Sequence, residues 1–192
     1  MYHRFDEIKY PSTNIRMEIF LKHIQLIKDL DYKFIHPDEF QNNFDIPKKR
    51  KKILLTIDDA FQSFYEVAWP YLKKNKIPFI LFVSTEPVGN KGYMTWDQIN
   101  EIEKENFTII GHHSHSHEYL IEKSNKDFIK DIEKANLIFN KKIGYIPELF
   151  SYPFGEYSEF MRNYISHNFT YAFGQHSGVI DINKDKFELP RF

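Results

Sequence analysis

The chain has 192 residues, with 26 Lys and Arg against 27 Asp and Glu, nine histidines and no cysteine. That length suits one domain, residues 1–192, with a full apolar core, and a formal net charge of -1 excludes an electrostatic case for nucleic acid or an anionic membrane surface as partner. Disulfides and thiolate metal sites are excluded, so any metal must be held by nitrogen and oxygen.

No apolar stretch approaches a membrane span, and Met1-Tyr2-His3-Arg4-Phe5-Asp6 lacks the apolar segment of a signal peptide. As written, the sequence reads as cytoplasmic. Residues 1–13 look irregular, and Pro11-Ser12-Thr13-Asn14 signals a helix start. From Ile15 to Leu30 the apolar residues Met17, Phe20, Leu21, Ile24 and Ile27 recur at helical spacing and predict one buried face. A short strand is expected at Lys33–Ile35, then a brief helix from Pro37 to about Asn42. Lys48-Lys49-Arg50-Lys51-Lys52 is a compact basic run. With no basic excess elsewhere to extend it, it reads as a solvated loop that guards the next strand from edge pairing.

The run Ile53–Ile57 is expected to be a buried strand that ends abruptly at Asp58-Asp59. A helix should follow over Ser63–Asn75, kinked at Pro70. Phe79–Val83 predicts a second buried strand, and Trp96–Lys104 a helix. Phe107–Ile110 predicts a third strand, closed by Gly111. Asp127–Asn140 is amphipathic, with Phe128, Ile129, Ile132, Ala135 and Phe139 on one face. Leu149–Tyr152 predicts a fourth strand, Ser158–Ser166 a helix, and Thr170–Phe173 a last strand. Strands alternating with helices mean an α/β fold with a largely parallel sheet.

Three stretches carry chemistry, and each follows a predicted strand. In α/β folds the C-terminal strand ends are where sites are built. Asp58 and Asp59 are two carboxylates in sequence. One can bind a metal while the other takes a proton, although Asp59 also suits a helix N-cap. Next comes His112-His113-Ser114-His115-Ser116-His117. His113 and His117 have a spacing that suits two ligands on one turn of chain, but the alternate-residue pairs His113/His115 and His115/His117 could also chelate. Spacing alone does not choose. Two histidines and one carboxylate would make a three-ligand catalytic site with positions open to water. The third stretch, Ser151-Tyr152-Pro153-Phe154-Gly155, is a turn that could aim a backbone N–H into such a site.

Together these stretches resemble the polysaccharide deacetylases (the NodB-homology domain, carbohydrate esterase family 4). Thr56-Ile57-Asp58-Asp59-Ala60 resembles that family's Thr-Phe-Asp-Asp-Gly motif. His113-Ser114-His115-Ser116-His117 resembles its His-Ser/Thr-x-x-His motif, and Phe150 to Gly155 its third motif. Tyr2-His3-Arg4-Phe5 with Tyr10-Pro11-Ser12-Thr13-Asn14 is similar to the opening of one bacterial branch. The resemblance implies a distorted (β/α)7 barrel and hydrolysis of N-acetyl groups on an amino sugar or polysaccharide. It implies Asp58 as general base. It also implies Asp59, His113 and His117 as ligands of a divalent metal, zinc first, with cobalt or nickel as alternatives. Tyr152, Pro153, Phe154 and Gly155 would form the substrate and oxyanion turn. The Phe154 N–H would be the oxyanion donor, and the rings of Tyr152 and Phe154 are expected to stack on sugar, whereas Trp96 and Tyr157 are expected to be core.

Three departures qualify the resemblance. Ala60 stands for Gly, Ser151 stands where the family usually has Arg, and the late Leu-x-His motif has no match. By similarity to members with permuted motifs, His3 would be the general acid and Arg191 of Leu189-Pro190-Arg191 would replace the missing arginine. An inactive sugar- or metal-binding module of the same fold, or a hydrolase of another amide or ester, is the competing expectation.

Overall fold

The computed structural model describes residues 1–44, 51–181 and 183–192, and the side chains of all of these but 41–44. Most of the basic run, Lys48-Lys49-Arg50, lies outside the described residues. The α/β expectation holds. The main sheet has five strands in sequence order: β5 (Leu55–Asp58), β6 (Phe79–Val83), β7 (Thr108–His112), β8 (Leu149–Ser151) and β9 (Tyr171–Phe173). The pairings β7–β8 and β8–β9 are parallel. Parallel neighbours need a crossover segment between them, and here helices supply it. The chain divides into two compact units, Met1–Leu81 with Gly89–Ile109, and Phe82–Val88 with Ile110–Phe192.

In the first unit, β1 (Arg4–Phe5) pairs with β2 (Asn14–Ile15), and β3 (Lys33–Phe34) pairs with β4 (Lys52–Ile53), both parallel. The predicted helix over Ile15–Leu30 is α1 (Met17–Asp29). Ile15 belongs instead to β2, because the Asp6 N–H bonds the Ile15 carbonyl at 3.0 Å. The Asp6 side chain then accepts the Met17 N–H at 2.9 Å, satisfying a donor at the helix start. Only Phe20 and Ile24 of the α1 face are buried, and Leu21 is exposed. The predicted helix at Pro37 is α2 (Pro37–Phe44). The single strand expected over Ile53–Ile57 is two strands, because β4 serves β3 while β5 enters the main sheet.

The helix expected over Ser63–Asn75 is a π-helical turn, Phe64–Ala68, followed by α3 (Trp69–Asn75). Pro70 explains the change. It has no N–H to continue the i→i−4 ladder, and the extra residue of the π turn absorbs the mismatch. α4 (Trp96–Glu103) opens on a full capping box between Thr95 and Gln98. The core of this unit is aromatic, with rings meeting in the series Phe20, Phe5, Phe64, Phe79 and Trp69.

In the second unit, β7 runs through Gly111 and includes His112, so the glycine does not close the strand. α5 (Asn125–Ile143) buries Phe128, Ile132, Ala135 and Phe139, as its period predicted. α6 (Glu159–Asn168) buries Met161 and Ile165. These faces cover Phe150 and Ala172 of the sheet, and Tyr152 just past β8, in one cluster. Full burial of an apolar side chain of this size contributes about 1.5–3 kcal/mol. His112 sits in this apolar setting, against Phe139, Phe150 and Phe169. Burial, with His113 adding to it, pushes its pKa down to about 3. Its Nδ1 accepts the Ser114 N–H at 3.1 Å, so it is a neutral structural acceptor.

Candidate functional site

The Asp pair stands at the end of β5, where both carboxylates are buried. The chain turns sharply after the strand, with Asp59 at φ 74° and Ala60 at φ 53°. Two consecutive non-glycine residues in the left-handed region cost about 1–2 kcal/mol each. This is the turn in which the resembling motif has glycine after the two acids. Alanine keeps the conformation here at a conformational cost, and such strain concentrates at functional positions. The helix-cap reading of Asp59 fails, because helical residues begin only after Phe61. Tyr2 lies along β5 as a parallel bridge to Ile57, with Tyr2 N–H to the Thr56 carbonyl at 3.0 Å and Asp58 N–H to the Tyr2 carbonyl at 2.9 Å. His3 therefore follows at the level of Asp58. Arg4 is clamped beside it between the rings of Phe61 and Tyr10, 3.4 and 4.0 Å from the guanidinium carbon, with Glu7 as its ion pair.

The histidine loop leaves β7 in an irregular path, with Ser114 at φ 68° and His117 at φ 54°. Side-chain acceptors hold it there. Ser114 Oγ accepts the His117 N–H at 3.1 Å, and the Asp131 carboxylate on α5 accepts the His115 and Ser116 N–H groups at 2.7 and 3.0 Å. His113 is fully buried, and its Nδ1 donates to the Ser151 carbonyl at 2.7 Å. That bond leaves the lone pair on Nε2, the tautomer a metal-binding histidine needs. His115 has other partners. Its Nδ1 meets Thr85 Oγ1 at 2.8 Å and its Nε2 lies 3.6 Å from Glu86. Burial, and Lys134 after it, hold its pKa below the ordinary value, against Glu86 and Asp131.

Of the pairings that spacing left open, His113 with His117 is the one whose nitrogens converge with a carboxylate. Asp59, His113 and His117 each offer a ligand atom, and these atoms lie within 4.8 Å of one another, a candidate metal site. Two imidazoles and one carboxylate are a donor set that suits zinc and its neighbours in the first transition row.

The third turn follows β8. Phe154 has φ 58°, and the Gly155 N–H bonds the Tyr152 carbonyl at 2.8 Å. Gly155, at φ 72°, leaves no room for a side chain, since an added Cβ would lie 2.5 Å from Gln175 Cβ and 2.6 Å from its backbone nitrogen. Gly155→Ala is expected to lower stability by about 2–4 kcal/mol, from left-handed strain plus overpacking. Urea unfolding of the two proteins checks this, and equal midpoints would show that the turn relaxes freely. Pro153 is buried and Phe154 is exposed.

The expectation that Tyr152 stacks on sugar is corrected. Its ring is fully buried against Phe150 and Tyr157, closed to any ligand. Tyr157 packs on the same cluster, as expected of a core ring. Arg191 is buried, and donates from Nη2 to Ser151 Oγ at 2.9 Å and from Nε to the Gly174 carbonyl at 2.8 Å. A guanidinium from the far end of the sequence thus reaches the side chain that stands where the resembling motif has arginine. Sequence reasoning missed Asp131 and Thr85, and the loop-holding role of Ser114. Asp131 has no signal beyond one acid on an amphipathic helix. Ser114 was legible only as a hydroxyl in a loop able to cap an N–H.

Residues 45–172 match the family model described as polysaccharide deacetylase. A poly-beta-1,6-N-acetyl-D-glucosamine N-deacetylase of Staphylococcus aureus is 26% identical over 202 aligned positions, covering 96% of this chain and 68% of that protein. Among solved structures, the Streptococcus pyogenes deacetylase PplD in complex with acetate superposes with a TM-score of 0.86 at 23% identity, over 100% of this chain and 88% of that one. IcaB from Ammonifex degensii gives 0.87 at 24% identity, over 99% and 88%. These likenesses carry the fold, which is the NodB-like deacetylase fold, a distorted (β/α)7 barrel. No helix among the described residues is long and apolar enough to cross a membrane.

Proposed function

Because the chain belongs to the polysaccharide deacetylase family, we propose that it is a metal-dependent hydrolase that removes N-acetyl groups from an amino-sugar polymer, with residues 1–192 acting as one catalytic domain. The observation that carries this reading is the Asp59, His113 and His117 donor set, whose ligand atoms lie within 4.8 Å of one another. These three residues would hold a divalent ion, zinc first among the candidates. The ion, when bound, supplies Lewis acidity that brings the pKa of a coordinated water to about 7.

The chain's own residues carry the remaining steps. Asp58, buried at the end of β5, takes the proton as water oxygen bonds to the acetyl carbon. The Phe154 N–H donates to the oxyanion, a contact typically worth about 3–4 kcal/mol. His3, at the level of Asp58, gives a proton to the amine nitrogen as the carbon–nitrogen bond breaks, releasing acetate and a free amino sugar. Arg191, held by Ser151 and Gly174, supplies the positive charge that orients the base. His113 is kept in its ligand tautomer by the Ser151 carbonyl.

The choice of substrate is supported by the Staphylococcus aureus relative, whose name specifies β-1,6-linked N-acetylglucosamine polymer. Zinc-loaded protein should therefore release acetate and expose free amines on β-1,6-linked N-acetylglucosamine oligomers. Release from a different amide or ester, with none from any acetylated sugar, would replace this reading by another hydrolase. Metal binding with no hydrolysis at all would leave a binding module.

A further inference from the structure

Four rings lead outward from the buried part of the histidine loop. His113 meets His117 edge-on at 4.9 Å, and His117 meets Phe154 edge-on at 4.8 Å. Phe154 is then covered by Tyr119, with ring centroids 3.9 Å apart and planes only 3° from parallel. The first ring is fully buried, whereas Phe154 is 36% and Tyr119 48% exposed. Isolated aromatic pairs prefer offset or edge-on geometry. Here two rings are stacked parallel at the surface, one of them on a residue with left-handed backbone at φ 58°. That backbone is itself fixed by the tight turn at Gly155. One face of Tyr119 is taken by Phe154, and about half of the residue stays exposed.

From this geometry we infer that Tyr119, backed by Phe154, is a stacking platform for a pyranose ring of the substrate other than the one whose acetyl group is cut. The inference rests on the sugar-deacetylase reading and specifies that the substrate is an oligomer. The apolar C–H face of a pyranose is flat and matches an aromatic ring in size. A tyrosine has few rotors to immobilise, and a ring already backed by another loses less still on binding. Tyr119 stands two rings beyond His117 in this series, which assigns it to a neighbouring residue of the same chain of sugars rather than to the reacting acetamide. Glu118 precedes Tyr119 and Leu120 follows it, and Leu120 is buried, which anchors the backbone under the platform.

The test compares wild type, Tyr119→Ala, Tyr119→Phe and Tyr119→Trp on N-acetylglucosamine and on its β-1,6-linked oligomers of two to five residues. Calorimetric titration of the metal-free proteins with the same oligomers gives a readout independent of catalysis. In Tyr119→Ala, KM for the oligomers should rise and their affinity fall about tenfold, the scale of one lost ring contact, with kcat within about twofold. Phe and Trp should restore both, because the platform uses the ring and not the hydroxyl. Wild-type preference for oligomer over monosaccharide should collapse in the alanine variant. Unchanged KM and affinity in Tyr119→Ala would overturn the platform while the deacetylase reading stands. Oligomer binding that needs Tyr119, without turnover of any acetylated sugar, would support the platform and overturn the deacetylase reading. Wild type that neither binds nor cleaves the oligomers overturns both.

Discussion

Asp58→Asn is expected to lose about a thousandfold in kcat/KM, within the range general-base catalysis supplies, while keeping its metal and its fold. The substitution is nearly isosteric, and the backbone N–H to the Tyr2 carbonyl is untouched. What disappears is the ability to accept a proton. A carboxamide oxygen still accepts a hydrogen bond from water, so substrate and water should be bound as before. The expected signature is therefore a fall in kcat with little change in KM. Steady-state kinetics beside metal analysis and circular dichroism decide it. A variant that still turns over at a tenth of the wild-type rate or better would move the base to another group. A variant that loses its metal would make Asp58 a ligand instead.

The second large effect concerns the ligand set. Removing the Asp59 or His117 donor should weaken metal binding more than about a hundredfold, since even the outer hydrogen-bond partners of ligands are worth 10–100-fold. Activity should fall to the level of chelator-treated wild type. The choice of substitution matters, because both residues have left-handed backbone, at φ 74° and φ 54°. Alanine there would combine ligand loss with a changed turn. Glycine adopts this region freely and carries no ligand atom, so Asp59→Gly and His117→Gly isolate the loss of the donor. Titration of the metal-free proteins with zinc, followed by equilibrium dialysis, measures it directly. About one ion per wild-type chain, lost in both variants, is the expected result. Tight binding retained in both would dissociate this triad from the metal.

Much of this was legible in order along the chain. β6 is Phe79–Val83, the range its unbroken apolar run predicted, because a strand buried on both faces has no polar residue to blur its ends. α5 buried four of the five residues on its expected face. The site motifs were also readable, since Asp58-Asp59, the histidine cluster and the Pro-Phe-Gly turn are each local and each follows a strand. The misreadings share one cause. Ile15 was drawn from a helix into β2, and Leu54 became the break between two strands, because in each case the decisive hydrogen bonds come from residues distant in sequence.

The sequence by itself determined the α/β class, the three strand-end motifs and the donor types available without cysteine, all of which depend on local pattern and residue chemistry. Only the tertiary structure shows which of the histidine nitrogens converge with a carboxylate, a grouping that the family resemblance implied and spacing left open. Spacing permitted His113, His115 and His117 in any pair, whereas the fold turns His115 to Thr85 and Glu86 and brings the nitrogens of the other two to Asp59. Only the tertiary structure closed Tyr152 inside the core, brought Arg191 to Ser151 across 40 residues of chain, and laid Tyr119 flat on Phe154. The last two are contacts between segments far apart in sequence. Such contacts depend on how elements pack, and packing leaves no periodic trace in the residues that meet.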